Sequence, residues 1–144
     1  MKQTNRRNFL KTSLVTAASL SFTARSWSQV PGASDTVRVA VVGFNGRGKD
    51  HIGGMQKLRD KKVKIVALCD IDSKVLQAGV ESFNKRSEVV DGYTDIRKLL
   101  ENKDIDAITI ATPNHWHSLG TIWAVQAGKD VYVEKPVCHN VWEG

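Results

Sequence analysis

Residues Thr36–Asp50 read TVRVAVVGFNGRGKD. The first half is a β-branched apolar run, a buried strand over Val37 to Val42. Gly43, Gly46 and Gly48 follow at once, and polar residues then open a helix. A strand, a glycine turn and a helix bring backbone N–H groups up to a phosphate. Such a loop needs a tight turn, close backbone approach to a pyrophosphate, and a helix packed hard on the strand. The usual spacing is G-x-G-x-x-G. Gly43 and Gly48 fit its outer positions, whereas Asn45 holds the middle one and Gly46 comes one later. Asn tolerates positive φ better than most residues, so the turn can form with a side chain near the phosphates. The competing reading is an ordinary strand–helix turn.

Asp70 shifts the balance toward a dinucleotide. It ends a second apolar run, Val63 to Cys69, and lies 22 residues after Gly48. An acid at that place accepts the adenosine ribose hydroxyls and repels a 2′-phosphate, which favours NAD over NADP. Its alternative role is a strand-end cap. Asp72 reads as a helix cap rather than a second ribose ligand. Arg47 stands either beside the phosphates or in solvent.

The rest of the body repeats the alternation. DSKVLQAGVESFNKR is a helix capped by Asp72 or Ser73, and SEVVDGYTD holds a short third strand ending near Tyr93. TDIRKLLEN is a short helix capped by Thr94 or Asp95, and DAITIAT is a fourth strand. NHWHSLGTIWAVQAG is a helix starting near His115 and closed by Gly128, and KDVYVEKP carries a fifth strand. Near-continuous apolar strands alternating with helices imply a parallel sheet covered on both faces, an α/β fold.

Ligands in such sheets bind outside the carboxyl ends of the strands. The fourth strand ends in Thr112-Pro113-Asn114, where Pro113 stiffens the turn. Asn114 either caps the helix or touches a cofactor. His117 either reaches the nicotinamide end or only packs. The fifth strand ends in Glu134-Lys135-Pro136. Lys135 there could hold a substrate hydroxyl and share its proton while hydride leaves the carbon; the plain alternative is a solvated surface lysine. A further helix begins at Asn140.

The sequence has 144 residues, 41% hydrophobic and 25% charged, which suits one globular domain. The formal charge of +6 suggests nucleic acid at first sight, but its distribution argues against that. Residues 1–30 hold five basic residues and no acid, leaving 16 basic against 15 acidic beyond them. The one dense basic run of the body, RDKKVK at 59–64, reads as a solvated helix end. Cys69 and Cys138 make no disulfide framework, and Cys69 reads as a small buried hydrophobe. His115 and His117, two apart on a helix, face apart, so no metal site is expected.

Residues 1–28 read as a signal peptide. Arg6-Arg7 precede Phe9-Leu10-Lys11 and an apolar stretch of about 12 residues, short of the roughly 20 a bilayer span needs. The arrangement resembles the twin-arginine export signal, with Asn5 where Ser or Thr is usual. Cleavage after Ala24 or Ser28 is expected, with 29–36 as linker and 37–144 as the nucleotide-binding domain. Export of an already folded protein to the periplasm through the twin-arginine machinery, with a cofactor loaded beforehand, follows from that reading.

Together, VAVVGFNGRG, LCDID, YTDIRKLL, ATPNHWHS and especially VYVEKPVCHN resemble the glucose–fructose oxidoreductase, inositol dehydrogenase and rhizopine-catabolism family (Gfo/Idh/MocA) over 36–144. The resemblance implies a Rossmann-type doubly wound parallel sheet binding NAD. It implies that the loop Phe44 to Arg47 meets the pyrophosphate and Asp70 the ribose. Thr112, Pro113, Asn114 and His117 would line the cofactor, Glu134 would lie near the nicotinamide, and Lys135 would assist catalysis. Family members continue into a second α/β domain that supplies most substrate contacts, so a fragment of a homo-oligomeric parent is expected. The function expected of that parent is that of an exported NAD-dependent oxidoreductase of a sugar or polyol, with hydride transfer between a secondary alcohol or its ketone and nicotinamide. Two alternatives stand beside it: an NAD-dependent glycosidase of the same superfamily, and a non-catalytic nucleotide-binding module.

Overall fold

The computed structural model describes residues 36–144. The export signal and all but the last residue of the linker lie outside the described residues. Five strands, β1 (Val37–Val42), β2 (Val63–Cys69), β3 (Asp91–Tyr93), β4 (Ala107–Ile110) and β5 (Asp130–Val133), form one sheet in the order β3-β2-β1-β4-β5. Every pairing is parallel. Helices α1 (Gly48–Gln56), α2 (Ser73–Asn84), α3 (Ile96–Leu100) and α4 (His117–Gln126) supply the crossovers. This is the doubly wound α/β fold that the strand–helix alternation predicts.

Strand β1 lies inside the sheet, and its residues Val39 to Val42 are apolar and buried on both faces. Ala40 and Val42 point into one core with Ile108, Ile110, Leu99 and Ala124. Val41 points into the other, with Leu68, Phe83 and Phe44. The two-residue period of a strand sends neighbours to opposite faces, so a run without polar alternation must be covered twice. Arg38 locks the other end of β1, its guanidinium forked onto Asp106 and Asp104 ahead of β4.

Capping follows the sequence. Asp72 accepts from the N–H groups of Lys74 and Val75 and starts α2; Asp95 accepts from that of Arg97 and starts α3. Gly128, at φ +72°, closes the end of α4. One expectation is corrected. The segment before α4 is a 3₁₀ turn, Asn114–Trp116, and the α-helix starts only at His117. Pro113 holds φ −56° and ψ 147°, so the chain enters from an extended residue and tightens before it settles. The turn has no side-chain cap, so Asn114 does not take the capping role. Asn140 does nucleate a turn, accepting from the N–H groups of Trp142 and Glu143.

Candidate functional site

The hydrogen-bond ladders run one residue beyond the strands and align four chain exits on one edge. Gly43 N–H donates to the Cys69 carbonyl, and Asp70 N–H to that of Tyr93. Ala111 N–H donates to the Val42 carbonyl, and Glu134 N–H to that of Ile110. The strand order turns back between β1 and β4, and a cleft opens there, where α/β sheets take their ligands. Its volume is about 760 Å³, with Gly43, Asp70, Ile71, Thr112, Trp116 and Trp123 among its walls.

Two glycines make the loop. Gly43 sits at φ +74°, and a Cβ there would press on the Thr112 backbone at 2.9 Å. A Cβ on Gly48 would lie 2.1 Å from the Gly43 carbonyl oxygen, so α1 can start only if that residue is bare. Around Gly46 an added Cβ would meet nothing within 4 Å. The open space lies at the start of α1, whose first residues have no side-chain cap. The N–H groups of Lys49 and Asp50 turn back to the Gly46 and Arg47 carbonyls, and the positive end of the helix dipole there attracts an anion.

Asp70 does two things at once. One carboxylate oxygen accepts from Phe44 N–H, the other from Asp72 N–H, each at 3.1 Å. A carboxylate has about four acceptor sites, so it retains capacity toward the cleft it lines. Thr112 Oγ1, also at the cleft wall, is buried without a hydrogen-bond partner. The bare loop, the acceptor at β2 and the unsatisfied hydroxyl at β4 are complementary to a dinucleotide.

The remaining expected residues divide. Asn45, Gly46 and Pro113 line the cleft. Phe44 does not: its ring is buried in the core under Gly79, so only its backbone belongs to the loop. Arg47 is half drawn away, its guanidinium bound to Glu134 at 2.9 Å and to Asp50 at 2.9 Å. His117 does not line the cleft either. It is 1% exposed, and both ring nitrogens rest on backbone carbonyls. Its place in the first turn of α4, below Thr112, turns the ring toward the protein instead of the opening.

Glu134 is set by a residue that sequence reasoning missed. His51 Nε2 lies 2.8 Å from the same carboxylate oxygen that Arg47 contacts, and the His51 ring stands edge-on to Tyr132. The hydrogen bonds from His51 and then Arg47 hold the Glu134 carboxyl down at about 2. Lys135 follows it, exposed, and no hydrogen bond or ion pair engages its ammonium among the described residues. Trp116 and Trp123 were also missed as cleft residues. Their i, i+7 spacing on one helical face was the available signal.

Comparison with known proteins agrees with this geometry. Residues 37–144 match the model of the oxidoreductase family with an NAD-binding Rossmann fold, GFO_IDH_MocA. A glycosyl hydrolase family 109 protein of Shewanella sp. strain ANA-3 is 30% identical over 96% of this chain and 35% of its own length. An inositol 2-dehydrogenase/D-chiro-inositol 3-dehydrogenase of Shouchella clausii is 30% identical over 71% of this chain and 28% of its own. The scyllo-inositol dehydrogenase of Lactobacillus casei, solved with NAD(H) and scyllo-inositol, superposes with a TM-score of 0.65. It is 25% identical and covers 75% of this chain and 30% of its own. The chain thus spans about a third of the length of the curated relatives it matches.

Proposed function

The chain belongs to the GFO_IDH_MocA oxidoreductase family, and on that premise we propose that the whole protein is an exported, NAD-dependent oxidoreductase of a sugar or polyol. The observation that carries this reading is the pairing of an unengaged Lys135 with a fixed Glu134 at the end of β5, on the cofactor edge of the sheet. NAD, when bound, supplies the hydride acceptor. Asp70 receives the ribose hydroxyls, and its charge disfavours a 2′-phosphate. The bare backbone of Gly43 to Gly48 and the start of α1 receive the pyrophosphate. Thr112, Pro113 and Asn114 border the dinucleotide beyond it. Lys135 holds the substrate hydroxyl; as the neutral amine it takes up that proton while hydride passes from the carbon to the nicotinamide, and as the ammonium it returns the proton in reduction. The inositol and scyllo-inositol dehydrogenases named above support the polyol class.

The test is Lys135→Ala in the full-length protein. Turnover is expected to fall by about 10²-fold or more with NAD affinity kept; unchanged turnover on an identified substrate removes the lysine from the mechanism. The Shewanella relative favours a second reading, an NAD-dependent glycosidase. Glycoside cleavage with no net NADH would select it, and NADH accumulation with sugar would select the dehydrogenase. Residues 1–28 are assigned to twin-arginine export to the periplasm, and the parent to a homo-oligomer. Replacing Arg6 and Arg7 by Lys should retain the protein in the cytoplasm.

A further inference from the structure

The exits of β4 and β5 share one buried side chain. His117 Nδ1 lies 2.6 Å from the Pro136 carbonyl oxygen, and Nε2 lies 2.8 Å from that of Thr112. Both partners are carbonyls, which only accept. A neutral imidazole has one N–H and one lone pair. It can donate to one oxygen but then turns a lone pair against the other at hydrogen-bond distance. Only a ring carrying both protons donates to both. The neighbouring Ser118 hydroxyl repeats the pattern, donating to the Val137 carbonyl at 3.2 Å. The first turn of α4 thus holds the segment after Lys135 by two successive carbonyls, while His51 and Arg47 hold the residue before it.

We propose that His117 is a positioning residue, a doubly protonated clamp that fixes the Lys135–Pro136 segment against the Thr112 turn. Charge-assisted hydrogen bonds are roughly twice as strong as neutral ones, and two of them converge on a ring with no other outlet. The clamp sets where the Lys135 ammonium stands relative to the cleft bordered by Thr112. It does so without touching cofactor or substrate. The proposal rests on Lys135 being the lysine that handles the substrate proton.

Neutron diffraction from deuterated crystals of the full-length protein near pH 7 reads the ring directly. Deuterium on both nitrogens is expected; a bare nitrogen facing either carbonyl overturns the clamp. Kinetics supply the second readout. His117→Asn and His117→Gln each offer one donating amide, and the folded variants are expected to lose about tenfold or more in kcat with KM for NAD within about twofold. Unchanged kcat in either folded variant overturns the positioning role. The neutron result requires no variant to fold. If Lys135→Ala keeps its activity while both ring protons are seen, the functional reading fails and the clamp stands as structure alone.

Discussion

Glu134 and His51 meet at 2.8 Å across 83 residues of chain. The contact joins the exit of β5 to the helix that starts at the glycine loop. It ties the exit of the edge strand β5 to the element that follows the central strand β1, with Lys135 the next residue along.

Acid should expose that contact. The Glu134 carboxyl sits at about 2, against an ordinary 4.5, because His51 and Arg47 hydrogen-bond its charged form. Its stabilising effect is complete above pH 4.5 and is lost as pH falls through about 2. The urea midpoint of the wild type is expected to drop more steeply over that window than that of Glu134→Gln. Parallel curves would show that the carboxylate contributes nothing there.

The loop glycines should separate sharply. Gly48→Ala puts a Cβ 2.1 Å from a backbone oxygen and is expected to cost about 2–4 kcal/mol. Gly46→Ala meets open space and is expected to stay within about 0.5 kcal/mol in the unliganded protein. Denaturant melts of the two variants give the comparison; equal losses would contradict the close packing of α1 on β1.

Asp70→Ala should weaken two properties together. It leaves the part-buried N–H of Phe44 without its partner and hands the exposed N–H of Asp72 to water, a loss of about 1 kcal/mol. NAD binding, followed by calorimetry on the folded variant, should fall by at least about tenfold. A variant with wild-type NAD affinity would remove Asp70 from the ribose site.

The two cysteines should differ in reactivity. Burial, with the nearby Asp70 and Asp95 charges, pushes the Cys69 thiol up to about 12, while Cys138 is only half-buried. Brief iodoacetamide treatment near pH 8 should label Cys138 alone, and both after unfolding in urea, as mass spectrometry can count.

Much of the fold was legible because β1 and β2 have no polar alternation. Val37 to Val42 and Val63 to Cys69 are strands whose C-terminal halves are buried on both faces, and their bounds could be read directly. The glycine spacing and Asp70 located one half of the cleft in the same way, through local backbone demands. The other half was not local. His51 gains its meaning only once β5 has been laid two strands away from β1, and nothing within α1 marks it. The Arg47–Glu134 pair spans 87 residues for the same reason. His117 was visible as a motif residue, but its burial depends on the carbonyl of Pro136, which only the tertiary structure brings beneath the Thr112 turn.

The carboxylate of Asp70 has a consequence for redesign. Its two oxygens stitch the glycine turn to the start of the next segment while the same group faces the cleft. If Asp70 sets cofactor choice as proposed, that choice and the loop architecture are not separable traits at this position. On the proposed reading, an engineer who replaces the acid with a small neutral residue to admit a 2′-phosphate also unpicks the glycine turn proposed to receive the pyrophosphate. A successful exchange would have to supply new acceptors for Phe44 and Asp72 N–H first, and only then a cation for the added phosphate.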